Sequence, residues 1–302
     1  MEMPILDAKK IKKTETAKKI TSQTILYIVL TIAALMALFP FIFMILSSLM
    51  SDDQYRRIEA VSDMIPKFIE WSNYKNAFTY KSSGGLNFTT ALLNTLLVGV
   101  TSTGLGVIVT IISAYAFAKL KFTGKNLLFS LMLATMMIPG ELFTITNYIT
   151  VSKVGLRNSY TVLILPFLVS IYYVYLLRNA FMQVPDELYK AAKIDGVGDC
   201  KYLLRVMVPL AAPTIISITI LKLIGTWNSY IWPNLVNKSK PSLLILSNWM
   251  QMSGRPVTGD SNEIQYPIRM AAAVIITIPL LIVFLCFRKY IMKGVSKSGI
   301  KG

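Results

Sequence analysis

A chain of 302 residues with 54% hydrophobic and only 15% charged residues, and a mean hydropathy of +0.56, is too apolar for a soluble domain, where about 25% of residues are charged. Its net charge of +16 comes without a single histidine, which excludes imidazole-based metal or general-base chemistry. Two cysteines, Cys200 and Cys286, offer no disulfide framework.

A bilayer core needs roughly 20 apolar residues per helical span. Runs of that kind begin near Ile25, Phe88, Leu127, Tyr160, Val206 and Pro267. The expected fold is all-α, a polytopic membrane protein with six helices in residues 25–287, a tail over 1–24 and another over 288–302. With six spans both termini share a side, and nineteen basic residues then gather there against ten opposite. Positive charge in short loops marks the cytoplasm, so both tails are expected inside. The charge reports topology, and no nucleic acid is needed to explain it.

The first run, ILYIVLTIAALMALFPFIFMILSSLM, is longer than a signal-peptide core and lacks a small-x-small cleavage site, so it reads as a retained helix. An external loop follows over 51–87, where Trp71, Tyr74, Phe78 and Tyr80 form an interfacial cap. The second span carries Asn94, Gly99, Gly104 and Gly106, small or polar residues that place it inside a bundle. In the third, Pro139 and Gly140 interrupt the helix. A loop over 183–205 divides the fourth span from the fifth, and a second external loop covers 237–266.

The stretch VPDELYKAAKIDGVGDCKYLLRVMVPL, residues 184–210, is charged where its neighbours are apolar. Pro185 suits a helix start, and Asp186 and Glu187 oppose the positive end of the dipole. Leu188, Ala191 and Ala192 share a face at helical spacing. Gly196 supplies the stop, and Asp199 is placed to cap a second helix that climbs back towards Pro209. The result is a helix–turn–helix at the membrane surface with a small-residue face for docking, although an ordinary amphipathic connection has the same pattern.

These residues resemble the signature loop of ABC importer permeases, Glu-Ala-Ala, three residues, Gly, nine residues, then Ile-x-Leu-Pro. Ala191 and Ala192 match, Gly196 follows after three residues, and Val206-Met207-Val208-Pro209 follows after nine more. Lys190 stands where the family has Glu, so a salt bridge made by that Glu lacks its carboxylate here. The stretches ALFPFIFMILSSLM, AYAFAKLKFTGK, MIPGELF, VGLRNSYTVLILP, TWNSYIWP and MAAAVIITIPLLIVFLCFRKYIMKGV, in that order, are similar to the carbohydrate branch, the maltose-type and multiple-sugar permeases.

The resemblance implies a type I importer permease fold in the bacterial cytoplasmic membrane. It also implies a second homologous permease, two ATPases that bind ATP and magnesium, and an extracytoplasmic solute-binding protein. Pro185, Glu187, Leu188, Lys190, Ala191, Ala192, Asp195, Gly196 and Pro209 would couple to the ATPase, and the tail KGVSKSGIKG would add contacts or stay solvated. The chain itself has no GxxxxGK[ST], HExxH or GxSxG, so it is expected to bind no cofactor and to catalyse nothing.

For the substrate pathway the candidates are Trp227, Asn228 and Tyr230, whose rings and amide suit sugar C–H faces and hydroxyls, with Trp232 read as part of an interfacial belt. Glu141 and Lys222 are the charges within spans, and such groups face a wet cavity or a partner unless they pair or snorkel. An ion-coupled secondary transporter, or an ABC permease for a non-sugar solute such as glycerol-phosphate, remain the alternatives.

Overall fold

The structure is a computed structural model and describes residues 4–82, 84–256 and 263–296. The side chains of 4–19 and 290–296 fall outside that description, as do residues 297–302, so the expectations for the basic tails are not addressed by it. All regular elements among the described residues are helical, apart from an isolated bridge between Lys81 and Asn87.

Three helices are long and apolar enough to cross a membrane unbroken: within α1 (Pro4–Ser48), in α4 (Phe88–Lys119) and within α15 (Tyr266–Ser296). Three further spans are bent pairs, which bring the count to six if each pair is one span. Lys125–Thr135 (α5) meets Gly140–Lys153, which includes α6 (Phe143–Lys153), at 80°. Pro139 and Gly140 lie at that break, where a proline lacking its N–H ends a helix.

Thr161–Phe167, which opens with α7 (Thr161–Ile164), meets α8 (Ile171–Met182) at 45°, and Asp199–Leu210 meets α12 (Ala212–Trp227) at 81°. The straight part of the fifth span therefore begins at Ala212. Val206, where a span was expected to start, lies in a π-helical turn over Leu203–Met207 before the bend.

The small residues of α4 place it at the centre, packed against α8, α12 and α14 (Leu246–Met252). A Cβ on Gly99 would stand 3.1 Å from Leu223 of α12, and one on Gly106 would collide with Lys222 and the Leu168 carbonyl. Gly104 has open space instead. Asn94, at 4% exposure, donates to the carbonyls of Ser242 and Leu244, each at 2.8 Å, and accepts from Tyr160 Oη at 2.7 Å.

Those bonds change the expected loop over 237–266. Its segment from Leu243 to Trp249 is buried inside the bundle, Leu246 N–H donates to Thr95 Oγ1, and Trp249 is fully enclosed beside Phe88, Ala271 and Ala272. The apolar run LLIL carries this burial. At the same end, α3 (Ser72–Thr79) packs on α15, and Asn73 donates to Ser48 and Met50 carbonyls, closing the end of α1.

Candidate functional site

At the opposite end of α4 lies the helix of the charged stretch. Asp186–Ile194 forms α9, with Pro185 just before it and acids in its first turn. Gly196 adopts φ +70°, and its N–H donates to Lys193 O while Val197 N–H donates to Ala192 O at 2.8 Å. This paired closure needs a left-handed residue, which is why glycine ends the helix.

Two anchors fix α9 to the bundle. Lys119, at the end of α4, donates to Asp186 Oδ1 at 2.6 Å and to Val184 O at 2.8 Å. Asp199 collects three donors on Oδ1: Tyr189 Oη at 2.8 Å, Lys193 Nζ at 3.0 Å and Tyr115 Oη of α4 at 3.0 Å. Asp199 thus does not cap α10 (Asp199–Tyr202), as the sequence had led us to expect, but ties α9 to a membrane helix. The bonds from Tyr189 and Lys193 hold its carboxyl below the usual range, and the bond from Lys119 does the same for Asp186.

Tyr189, Ala192 and Val197 face inwards onto a core of Tyr115, Leu177, Phe181 and Tyr202. Ala192 is therefore an internal packing residue, and the outward face is Leu188, Ala191 and Ile194, with Leu188 45% and Ile194 87% exposed. Ile194 was missed, although its place six residues after Leu188 marks the same ridge. Glu187, Lys190 and Asp195 are exposed around it, and Pro209 is exposed near the 81° bend.

The pathway candidates separate. Lys222 is buried at 7% exposure, and its Nζ donates to the Phe167 carbonyl at 2.6 Å, where the fourth span breaks. It lines a cavity of about 370 Å³ with Ser102, Tyr173, Thr226, Ser229 and Trp232.

Trp232 is buried rather than belted at an interface: its indole donates to Val162 O at 2.9 Å and its ring meets Phe167 edge-on. Trp227 turns away from the cavity, into the core beside α15, with its N–H on Ile276 O. Asn228 is exposed at the end of α12, and Tyr230 is half-buried with its carbonyl accepting from Asn248. Glu141 is exposed at the 80° bend and makes no ion pair with Lys222. Helical register explains the difference: Trp227 and Trp232 look alike in sequence, but the break after Trp227 turns them to different sides.

The family described as binding-protein-dependent transport system inner membrane component matches residues 106–297. The chain is 29% identical over 272 residues to the arabinooligosaccharides transport system permease protein AraQ of Bacillus subtilis, covering 89% of this chain and 92% of that one. It is 28% identical over 276 residues to the sn-glycerol-3-phosphate transport system permease protein UgpE of Yersinia pestis, covering 90% and 95%. A chain of a solved bacterial ABC transporter involved in import of the acidic polysaccharide alginate superposes with TM-score 0.76 at 22% identity, over 90% of this chain and 97% of that chain.

Proposed function

Because the chain belongs to the family of binding-protein-dependent transport system inner membrane components, a family of transporter subunits and not of enzymes, we propose that it is one permease half of an ATP-driven importer for a carbohydrate or related polyol. The names of its relatives support that substrate class, from arabinooligosaccharides to glycerol 3-phosphate. One structural observation carries the coupling: an amphipathic helix, locked at both ends to α4, presents Leu188, Ala191 and Ile194 outwards.

In this reading α9 lies on the cytoplasmic side, where the basic excess puts it, and its ridge fills a groove of an ATPase subunit. ATP-driven closure of two such subunits moves α9, and the Asp199 and Lys119 anchors pass that motion to α4 and rock the bundle as a rigid body. A second permease completes the pathway, and a binding protein delivers solute from outside. A solved relative of the same fold bound to its periplasmic protein supports that last partner. ATP and magnesium stay with the ATPases.

The test is purification of the tagged chain in mild detergent from its native membrane. Co-purification of a second permease and a P-loop ATPase is the expected result. A chain that comes alone, with uptake following an ion gradient, would sink the proposal in favour of a secondary transporter, a reading that the three broken spans also permit.

A further inference from the structure

The cavity beside the broken fourth span holds a positive charge with no anionic partner, Nζ of Lys222 lying 5.9 Å from the centroid of the Tyr173 ring. Lys222 is buried, and its Nζ has one carbonyl partner, Phe167 O at 2.6 Å, for three ammonium protons. No carboxylate lines the cavity, and Lys222 belongs to none of the ion pairs among the described residues. Snorkelling would relieve such a charge, but a Cβ on Gly106 would strike its Cε, so α4 hems the side chain in. An ammonium held in the membrane without a counter-charge is costly and marks a functional group.

The rest of the wall suits a hydroxylated ligand. Ser102, Thr226 and Ser229 supply hydroxyls, while Tyr173 and Trp232 offer rings for apolar sugar faces. The volume, about 370 Å³, is within the range of small-ligand sites, about 300–1,000 Å³. Glu141, the other charge expected in a span, stands away at the 80° bend and does not reach the cavity.

We infer that this cavity is a binding station for a sugar carrying an acidic group, a uronate carboxylate or a phosphate ester, with Lys222 as its counter-charge. The inference rests on the import reading above and makes it more specific. The acidic oxygen meets the Nζ protons left free by Phe167, and the sugar ring lies between the hydroxyl wall and Trp232. Specificity for charge then resides in this chain and adds to whatever the binding protein selects. Were Lys222 only a clamp for the broken helix, a neutral amide donor to Phe167 O would serve equally well.

That contrast defines the experiment. The complex of both permeases with their ATPases is purified, and affinity is measured before the binding protein is added, so that any charge preference belongs to the membrane chains. The pairs compared are digalacturonate against neutral galactobiose and glucose 1-phosphate against glucose. Wild type is expected to hold the acidic member of one pair roughly tenfold tighter, and the responding pair tells uronate from phosphate. In proteoliposomes Lys222→Gln should lower the acidic-to-neutral uptake ratio by a similar factor, while Lys222→Arg keeps the preference.

Equal affinity within both pairs in the wild type, or a ratio unmoved by Lys222→Gln, overturns the inference while leaving ATP-driven sugar import intact. Uptake that follows an imposed ion gradient and ignores ATP overturns the import reading beneath it. The wild-type affinities decide the question even if the Lys222→Gln complex fails to assemble.

Discussion

Asn94 is the residue whose role is most sharply defined by its bonds. Its amide meets two carbonyls and its oxygen meets Tyr160, so it joins α4, the Ser242–Leu244 segment and the start of the fourth span. Asn94→Leu keeps the size but strips two buried carbonyls of their donors, each worth about 1–3 kcal/mol. The expected outcome is a clear drop in the thermal midpoint of the detergent-solubilised protein, read by light scattering or by the fluorescence of the buried tryptophans Trp227, Trp232 and Trp249. Gly106 is the second such position. Gly106→Ala drives a methyl into Lys222 and the Leu168 carbonyl, and overpacking of that kind costs about 1–3 kcal/mol. By contrast Gly104→Ala meets nothing and should leave the midpoint unchanged or slightly raised, since alanine favours a helix.

At the scale of the element, α9 makes three separable predictions. Ile194→Asp puts a charge on the outward ridge without touching an anchor, so ATPase retention in a pull-down should fall while the permease itself stays folded. Tyr189→Phe removes one of three donors to Asp199, a loss of about 1 kcal/mol, and should loosen α9 without releasing it. The third concerns pH. Asp199 is held below the ordinary carboxylate range by Tyr189 and Lys193. A depressed folded value means the attachment is fully present above the unfolded pKa of about 4 and is lost as pH falls through the lower folded value. A nitroxide on exposed Cys200, with Cys286 replaced, should therefore report an immobile helix from pH 8 to 5 and mobility only in stronger acid. Mobility rising between pH 8 and 6 would refute the anchor.

At the scale of the whole molecule, α1 is the outlier. The most apolar 18-residue window within Ile20–Ser48 has none of its residues buried within the chain, whereas 39% of the corresponding window in α4 is buried. The helix packs on α15 along one side, and lipid or another subunit covers the rest of that window. If a second permease completes the bundle, a photocrosslinker at Met36, 73% exposed, should capture it. A crosslinker at Ala272, which is fully buried, should not.

Local signals carried much of this in the amino-acid order. The number and approximate places of the apolar runs, the Pro139–Gly140 break, and the start and stop of α9 at Pro185 and Gly196 depend on neighbours within a turn or two, and all are legible before any fold is known. So is the loop motif on which the family resemblance rests. Which side each residue faces was not legible, because lipid and protein core are equally apolar and a membrane helix lacks the polar stripe that reveals its buried face. Trp227 thus turned into the core beside α15 while Trp232 lines the cavity, Ala192 turned inwards while Ile194 turned out, and the 243–249 segment folded back into the bundle. Asp199 gathers its donors from Tyr115, Tyr189 and Lys193, and Lys222 reaches a carbonyl 55 positions away. Contacts at that separation exist only once the chain has closed, so three-dimensional packing, and not local order, settled where the anchors and the charged cavity lie.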